Sequence, residues 1–424
     1  MTALHTRATD AEPATAEGMS DRASTRVRRI QLSPTIAIAG RAGVLRSAGR
    51  DVISLALGEL DFDTPARIVE AAHKAALEGF TRYTAADGAA PIKDAVREKF
   101  RRDHGLSRGR DEIHVASGCK QVIFNALAAT LDPGDEVVIF APYWVSYCDL
   151  VEFCDGKAVV IQTSGDNGFL PDPSALRRAL SARTRWVFIN TPNNPTGAIY
   201  PSALLAELAE VIRNHSSAMV LSDEIYEHLA FDGNVHVPFT LAAPRMRERT
   251  LVASGVSKTY AMTGWRIGYA AGPTWLIDAM ARVQSQTAGN ACSIAQAAAV
   301  EAIAGDQTLI GDWLNTLQRR RNRALAILAK TPLLKVSAPA GAFYIFADVS
   351  ACLGRHAPDG GRILSDSDLA EHLLMHANVA AVPGCAFGAS PFIRISFVIE
   401  ESLLAQACER IVDACNALQH RQAT

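Results

Sequence analysis

The run Arg185–Leu229 reads RWVFINTPNNPTGAIYPSALLAELAEVIRNHSSAMVLSDEIYEHL. Two short apolar runs, RWVFIN and AMVLSD, flank the segment SALLAELAEVIRN, whose apolar positions recur at helical spacing. Strands joined through a helix pair in parallel, because the crossover returns the chain to the end it left. The pattern continues on both sides. EIHVAS is followed by the helical run QVIFNALAATL, DPGD turns into EVVIFAP, and TLVASG is a further strand. Ahead of these, Pro65–Gly79 and Ala90–His104 have helical periodicity, with Asp63-Thr64-Pro65 expected to supply an N-cap and a first-turn proline. Residues 62–309 therefore read as one large α/β domain with a mostly parallel sheet.

A long polar helix, GDWLNTLQRRRNRALAILAK, follows, and its RRR run reads as a solvated face. The strand-rich pieces GAFYIFADV, VAAVPG and FIRISF and a closing helix, SLLAQACERIVDACNAL, make 310–424 a smaller α+β domain, with 30–61 as its N-terminal segment. Residues 1–29 form a polar, Ala/Thr-rich arm expected to be disordered, with Met19 an alternative start.

The chain has 424 residues, 49% of them apolar, and a net charge of -2, so no basic excess favours a nucleic-acid backbone. No apolar run approaches the roughly 20 residues that span a bilayer. The start lacks the apolar region of a secretory signal. None of the eight cysteines forms a CxxC pair, and the reading is of reduced thiols in a cytoplasmic protein.

Four predicted strands end in reactive or polar groups, the place where open α/β sheets bind ligands. In VASGCKQ, Gly118 and Cys119 precede a helix whose first N–H groups favour an anion. INTPNNPTG holds Asn194 in a proline-bounded loop. VLSDEIYEHL places Asp223 after a strand and Tyr226 three residues on. Asp223 could cap a helix or sit beneath a ring nitrogen and keep it protonated. TLVASG leads to Lys258, whose amine becomes nucleophilic when desolvated near other cations. Arg266, placed inside the following strand, suits a phosphate. Separately each segment is ordinary; together they specify pyridoxal 5′-phosphate held by a lysine, with an acidic partner for its ring nitrogen. In FIRISF, alternation sets Phe392, Arg394 and Ser396 on one face, and an arginine there needs a carboxylate partner. His372 and His376, in HLLMH, share a helix face, but with no HExxH and no third ligand no metal is assigned.

From about Arg29 to Leu418 the chain resembles the class I pyridoxal-phosphate aminotransferases of fold type I, most of all the bacterial aspartate aminotransferase branch. The resemblance rests on GELDFDTP, GCKQVIFN, LDPGDEV, APYWVSY, PNNPTGA, SDEIYEHL, VSKTYAMTGWRIGYAAGP, GAFY and FIRIS. It implies an α/β/α large domain and a smaller α+β domain. Lys258 would hold the cofactor covalently, Asp223 would face the ring nitrogen, and Asn194 and Tyr226 would bond its hydroxyl. Gly118, Cys119, Ser257 and Arg266 would form the phosphate cup, with Trp144 stacked on the ring. Gly58 and Arg394 would meet the substrate, Arg394 through the α-carboxylate. Tyr83 would reach the phosphate of a neighbouring subunit, implying a homodimer with shared sites. The implied substrates are an L-amino acid and a 2-oxo acid, by family aspartate and 2-oxoglutarate.

Two departures stand out. Leu60 replaces the usual proline in GELDF, and the positions expected to carry a cation for a distal carboxylate hold Gln31 and Ala128. Without such a cation aspartate should be a poor donor, so the alternatives are a neutral or aromatic amino acid, or a lyase or oxidase on the same scaffold. A regulator using this fold needs a DNA-binding domain ahead of it, which some thirty polar residues do not provide.

Overall fold

The alternation of apolar runs produces twelve strands in three sheets, seen in a computed structural model that describes residues 22–419. In chain order the strands are β1 (Ile53–Ser54), β2 (Ile113–Ala116), β3 (Glu136–Ala141), β4 (Lys157–Gln162), β5 (Thr184–Asn190) and β6 (Met219–Asp223). The remainder are β7 (Thr250–Gly255), β8 (Gly268–Ala271), β9 (Tyr344–Asp348), β10 (Val379–Ala380), β11 (Val382–Pro383) and β12 (Phe392–Ser396). Seven of them form the central sheet, in the order β2-β8-β7-β6-β5-β3-β4. Its run from β7 to β4 is parallel, and β8 is antiparallel to both neighbours.

Alternation along each central strand feeds two cores. Val137, Ile139, Trp186, Phe188, Leu221, Leu251 and Ala253 point to one face, against the helices Cys119–Thr130 and Thr274–Thr287. Val138, Phe140, Val187, Ile189 and Val220 point to the other. Burial on both faces is why these strands read as continuous apolar runs. The helix Ala90–His104 ends where Gly105 takes a left-handed φ of 60°. At the helix Ala66–Leu77 the expected hydroxyl cap is absent, because Thr64 Oγ1 donates to the Ala261 carbonyl at 2.7 Å instead.

The smaller sheet, β11-β12-β9, packs with the helices Asp366–His376 and Glu401–Asn416. β1 pairs in parallel with β10, which ties the segment from 30 to 61 to this C-terminal unit. Leu60, the departure in GELDF, is buried in the same core, so an apolar contact stands where a turn proline was expected. In the helix Thr308–Leu328 the RRR run is not a solvated face. Arg320 pairs with both oxygens of Asp61 at 2.7 and 2.9 Å, and Arg321 with Asp232 and the Pro339 carbonyl; both side chains are buried. Only Arg319 of the three is exposed.

Of the segment read as a disordered arm, residues 1–21 lie outside the described residues. Thr25–Arg29 is a short helix whose Arg26 and Arg29 both reach Asp155, each at 2.5 Å. Among the described residues no helix is long and apolar enough to cross a membrane.

Candidate active site

The parallel strands β5, β6 and β7 end side by side, and the loops that follow them converge with β9 and β12 of the smaller sheet. They enclose a cavity of about 390 Å³. Gly58, Cys119, Trp144, Asn194, Asp223, Tyr226, Ser257, Lys258, Arg266 and Arg394 all line it. Gly118 lies just behind, and Tyr83 stands apart with 96% of its surface exposed, on the loop before the helix Ala90–His104.

Lys258 follows β7 on a single helical turn, Val256–Thr259, and its Nζ donates to the Gly58 carbonyl at 2.6 Å. Burial pushes its pKa down to about 8; Arg394 and Arg266 add to the effect, while Glu59 opposes it. An amine in that range is available as a nucleophile and as a proton carrier near neutral pH.

Asp223 is the last residue of β6 and is 4% exposed. Burial raises its pKa to about 6, against two donors that stabilise the carboxylate, the Tyr147 hydroxyl at 2.6 Å and the Ile225 N–H at 3.3 Å. The Cys119 thiol lies 3.9 Å from Oδ1, the oxygen that accepts from Ile225. A buried carboxylate with two donors is short of a cationic partner.

An anion cradle forms at the start of the helix Cys119–Thr130. Gln121 and Val122 donate to the Gly118 carbonyl at 3.0 and 3.3 Å, which leaves the N–H groups of Cys119 and Lys120 for an anion, and Ser257 and Arg266 line the same cavity. Arg266 lies two residues before β8 rather than inside it, in a left-handed conformation with φ 58°. Its guanidinium bonds the Thr263 carbonyl at 3.0 Å and the Ser117 carbonyl at 3.3 Å. A Cβ at Gly118, whose φ is 93°, would collide with that guanidinium, so glycine is required there.

Arg394 is 2% exposed, with its guanidinium between the rings of Tyr344, 4.3 Å from the centroid, and Phe387, at 4.9 Å. It donates to Asn194 Oδ1 at 2.9 Å and to the Ala56 carbonyl, while its Nε has no partner. Among the described residues no carboxylate pairs with it, which leaves the charge available to an anionic ligand. Asn194 Oδ1 is thereby occupied, which leaves Nδ2 as its group for a ligand. The Tyr226 hydroxyl is 2.9 Å from that of Tyr344.

Three residues that sequence reasoning did not assign belong here. Tyr147, three positions after Trp144, orients Asp223, and its place in APYWVSY was the only signal. Tyr344 supports both Tyr226 and Arg394. Lys120 is the third: it lines the cavity, with its ammonium 4.9 Å from the centroid of the Trp144 ring. Gln31 is exposed, its backbone N–H bonds Asp149, and Ala128 faces solvent on the helix Cys119–Thr130. Neither lines the cavity, whereas Lys120 brings a cation to it. His372 and His376 stack at 4.9 Å, with His376 paired to Asp359 at 3.1 Å.

A buried lysine of lowered pKa, a carboxylate lacking its cation, an anion cradle and an arginine lacking its anion are the equipment of an enzyme for small anionic amines. The chain belongs to the class I and II aminotransferases, whose family description matches residues 50–411. An aspartate aminotransferase of Rhizobium meliloti is 46% identical over 395 residues, covering 93% of this chain and 96% of the relative. An aspartate/prephenate aminotransferase of Cereibacter sphaeroides is 45% identical over the same length, covering 93% and 99%. The crystal structure of a Rhizobium meliloti aspartate aminotransferase superposes with a TM-score of 0.91 at 45% identity, covering 94% of this chain and all of that one. The Thermus thermophilus aspartate aminotransferase with maleate gives 0.86 at 40% identity, covering 93% and 100%.

Proposed function

We propose that this protein moves an amino group between aspartate and a 2-oxo acid such as 2-oxoglutarate in two half-reactions, with pyridoxal 5′-phosphate bound through Lys258. The observation that carries this reading is the set of unmet charges in one cavity, each facing what the cofactor or substrate would bring. The cradle of Cys119, Ser257 and Arg266 suits a phosphate, Asp223 a protonated ring nitrogen, and Arg394 an α-carboxylate. Trp144 would offer a face for the ring, and Asn194 Nδ2 and the Tyr226 hydroxyl would hold its oxygen.

When bound, the cofactor supplies an electron sink for negative charge developing at the substrate Cα. Arg394, held by two aromatic rings, fixes the α-carboxylate and with it the direction of the Cα–H bond. Lys258 Nζ would take that proton as general base and, as general acid, deliver it to the cofactor's aldehyde carbon rather than back to Cα. Asp223, oriented by Tyr147, keeps a proton on the ring nitrogen. The smaller domain, which carries Arg394, and the loop at Gly58 would limit water.

A screen of amino donors against several 2-oxo acids, prephenate included, tests the proposal. Aspartate with 2-oxoglutarate should give oxaloacetate and glutamate in equal amounts. Ammonia or hydrogen peroxide as the main product would instead mean a lyase or an oxidase on this scaffold.

Asp223 makes a sharper prediction in the protein freed of cofactor. Its folded pKa, about 6, is above its unfolded value, so its contribution to stability is complete below pH ~4 and lost as pH rises through 6. A displacement of about two units corresponds to on the order of 3 kcal/mol. The cofactor-free Asp223→Asn variant should therefore be more stable than wild type at pH 7.5 while almost inactive when reconstituted. The stability gain should vanish near pH 4, which denaturant titrations at the two pH values will show.

The exposed Tyr83 accords with a site shared between two cytoplasmic subunits, each lending this side chain to the other's phosphate cradle. Mixed Tyr83→Phe and Lys258→Ala chains should recover part of the activity that either lacks alone. Full activity from a monomer in sedimentation would rule the sharing out.

A further inference from the structure

On the face of β6 turned away from the cavity the protein buries a cluster of charged groups that the reaction does not touch. Asp223 and Tyr226 point into the cavity, and Glu224 and Glu227 point behind. Glu224 accepts from the Ser222 hydroxyl at 2.7 Å and the Phe239 N–H at 3.1 Å, and faces His236 at 3.0 Å and His104 at 3.6 Å. Glu227 accepts from the Ser254 hydroxyl at 2.8 Å, meets His104 Nε2 at 2.5 Å, and pairs with Lys99, which is 1% exposed. Asp103 lies 3.8 Å from Lys99 and 3.8 Å from His228. His104, Glu224 and Glu227 are close enough to hold a metal ion, but the Lys99 ammonium already takes the cation's place, 3.0 Å from His104.

Well-packed apolar side chains would be at least as stabilising as buried ions, so the cluster calls for another reason. Its position supplies one. The last backbone hydrogen bond between the β6 and β7 chains runs from the Glu224 N–H to the Ala253 carbonyl at 2.9 Å. Beyond it the β6 chain turns through Tyr226, while the β7 chain goes on to Lys258. Past that point, among the described residues, the Glu227–Ser254 bond is the hydrogen bond that joins them.

We propose that Glu227, braced by Lys99 and bonded to Ser254, is a positioning residue that sets the separation between the Asp223–Tyr226 turn and Lys258. This rests on the aminotransferase reading above. The pH midpoint of the bound cofactor's absorbance reports the charge at the Lys258 nitrogen, which senses Asp223 and Tyr226.

The test compares holoenzymes of wild type, Glu227→Gln, Ser254→Ala and the apolar pair Lys99→Met/Glu227→Met in absorbance midpoint, kcat, KM and thermal melting. Glu227→Gln should move the midpoint by about one pH unit and lower kcat about tenfold, with KM for aspartate within about threefold. Ser254→Ala, which leaves the Lys99–Glu227 pair intact, should change both in the same direction by less. The apolar pair should recover the melting temperature without recovering midpoint or kcat. Wild-type midpoints and kcat in Glu227→Gln and Ser254→Ala, or in the apolar pair, would overturn the proposal and leave the cluster a stability device. A wild-type protein whose absorbance with pyridoxal 5′-phosphate ignores pH would overturn the underlying reading, and this inference with it.

Discussion

Lys258→Ala should lower turnover by at least about four orders of magnitude, because on the proposed function one side chain supplies both the covalent anchor and the proton carrier. The variant should fold, and its stability gives an independent reading of the site. Lys258 has a folded pKa of about 8, below the value of a free lysine. Its contribution to stability is complete above the unfolded pKa of ~10.4 and lost as pH falls through 8, so at pH 7 the confined ammonium is a burden. Cofactor-free Lys258→Ala should accordingly melt at or above the wild-type temperature at pH 7, and the advantage should shrink as the pH approaches 10. Borohydride treatment of the wild-type holoenzyme followed by peptide mapping should label Lys258. A different labelled lysine would displace the assignment, whatever the activity of the variant.

What could be read before the structure, and what could not, follows the range of the interactions involved. Alternation and flanking turns placed β5 and β6 and the helix between them, because those signals lie within a dozen residues. The strand ends then brought Asn194, Asp223 and Lys258 into one crevice, since parallel strands finish at one edge of their sheet. Long-range pairing was invisible. The arginines after Gln318 read as a solvated face because their carboxylates come from Asp61, 259 residues away, and Asp232, 89 away. Tyr147 reaches an aspartate 76 residues on, and nothing in its own segment distinguishes it from a core tyrosine. Lys120 and Ala128 differ in their placement along one helix. The cavity meets the first turns of the helix Cys119–Thr130, at Cys119, Lys120 and Ile123, and Ala128 lies about 7 Å further along the axis.

That shift changes the expectation for the substrate, since it puts a cation where none was counted. On the proposed function, Arg394 takes the α-carboxylate, Arg266 belongs to the anion cradle and Lys258 to the chemistry. Lys120 remains. Its ammonium lies over the Trp144 ring, and burial with nearby Arg266 lowers its pKa while Asp149 opposes the change. No carboxylate forms an ion pair with Lys120 among the described residues, so a distal carboxylate of the substrate would be its partner. Removing the cation would leave that carboxylate desolvated and unpaired, which costs several kcal/mol. Lys120→Met should therefore lower kcat/KM for aspartate by about 10²–10³ while changing that for phenylalanine less than about threefold. The KM for 2-oxoglutarate should rise in parallel, because donor and acceptor present their distal carboxylates to the same place. Ala128→Arg, by contrast, should leave the aspartate-to-phenylalanine ratio where it was. The ratio of kcat/KM values for the two donors, measured with one acceptor, decides the matter. An unchanged ratio in Lys120→Met would mean that a cation from outside this cavity reads the distal carboxylate.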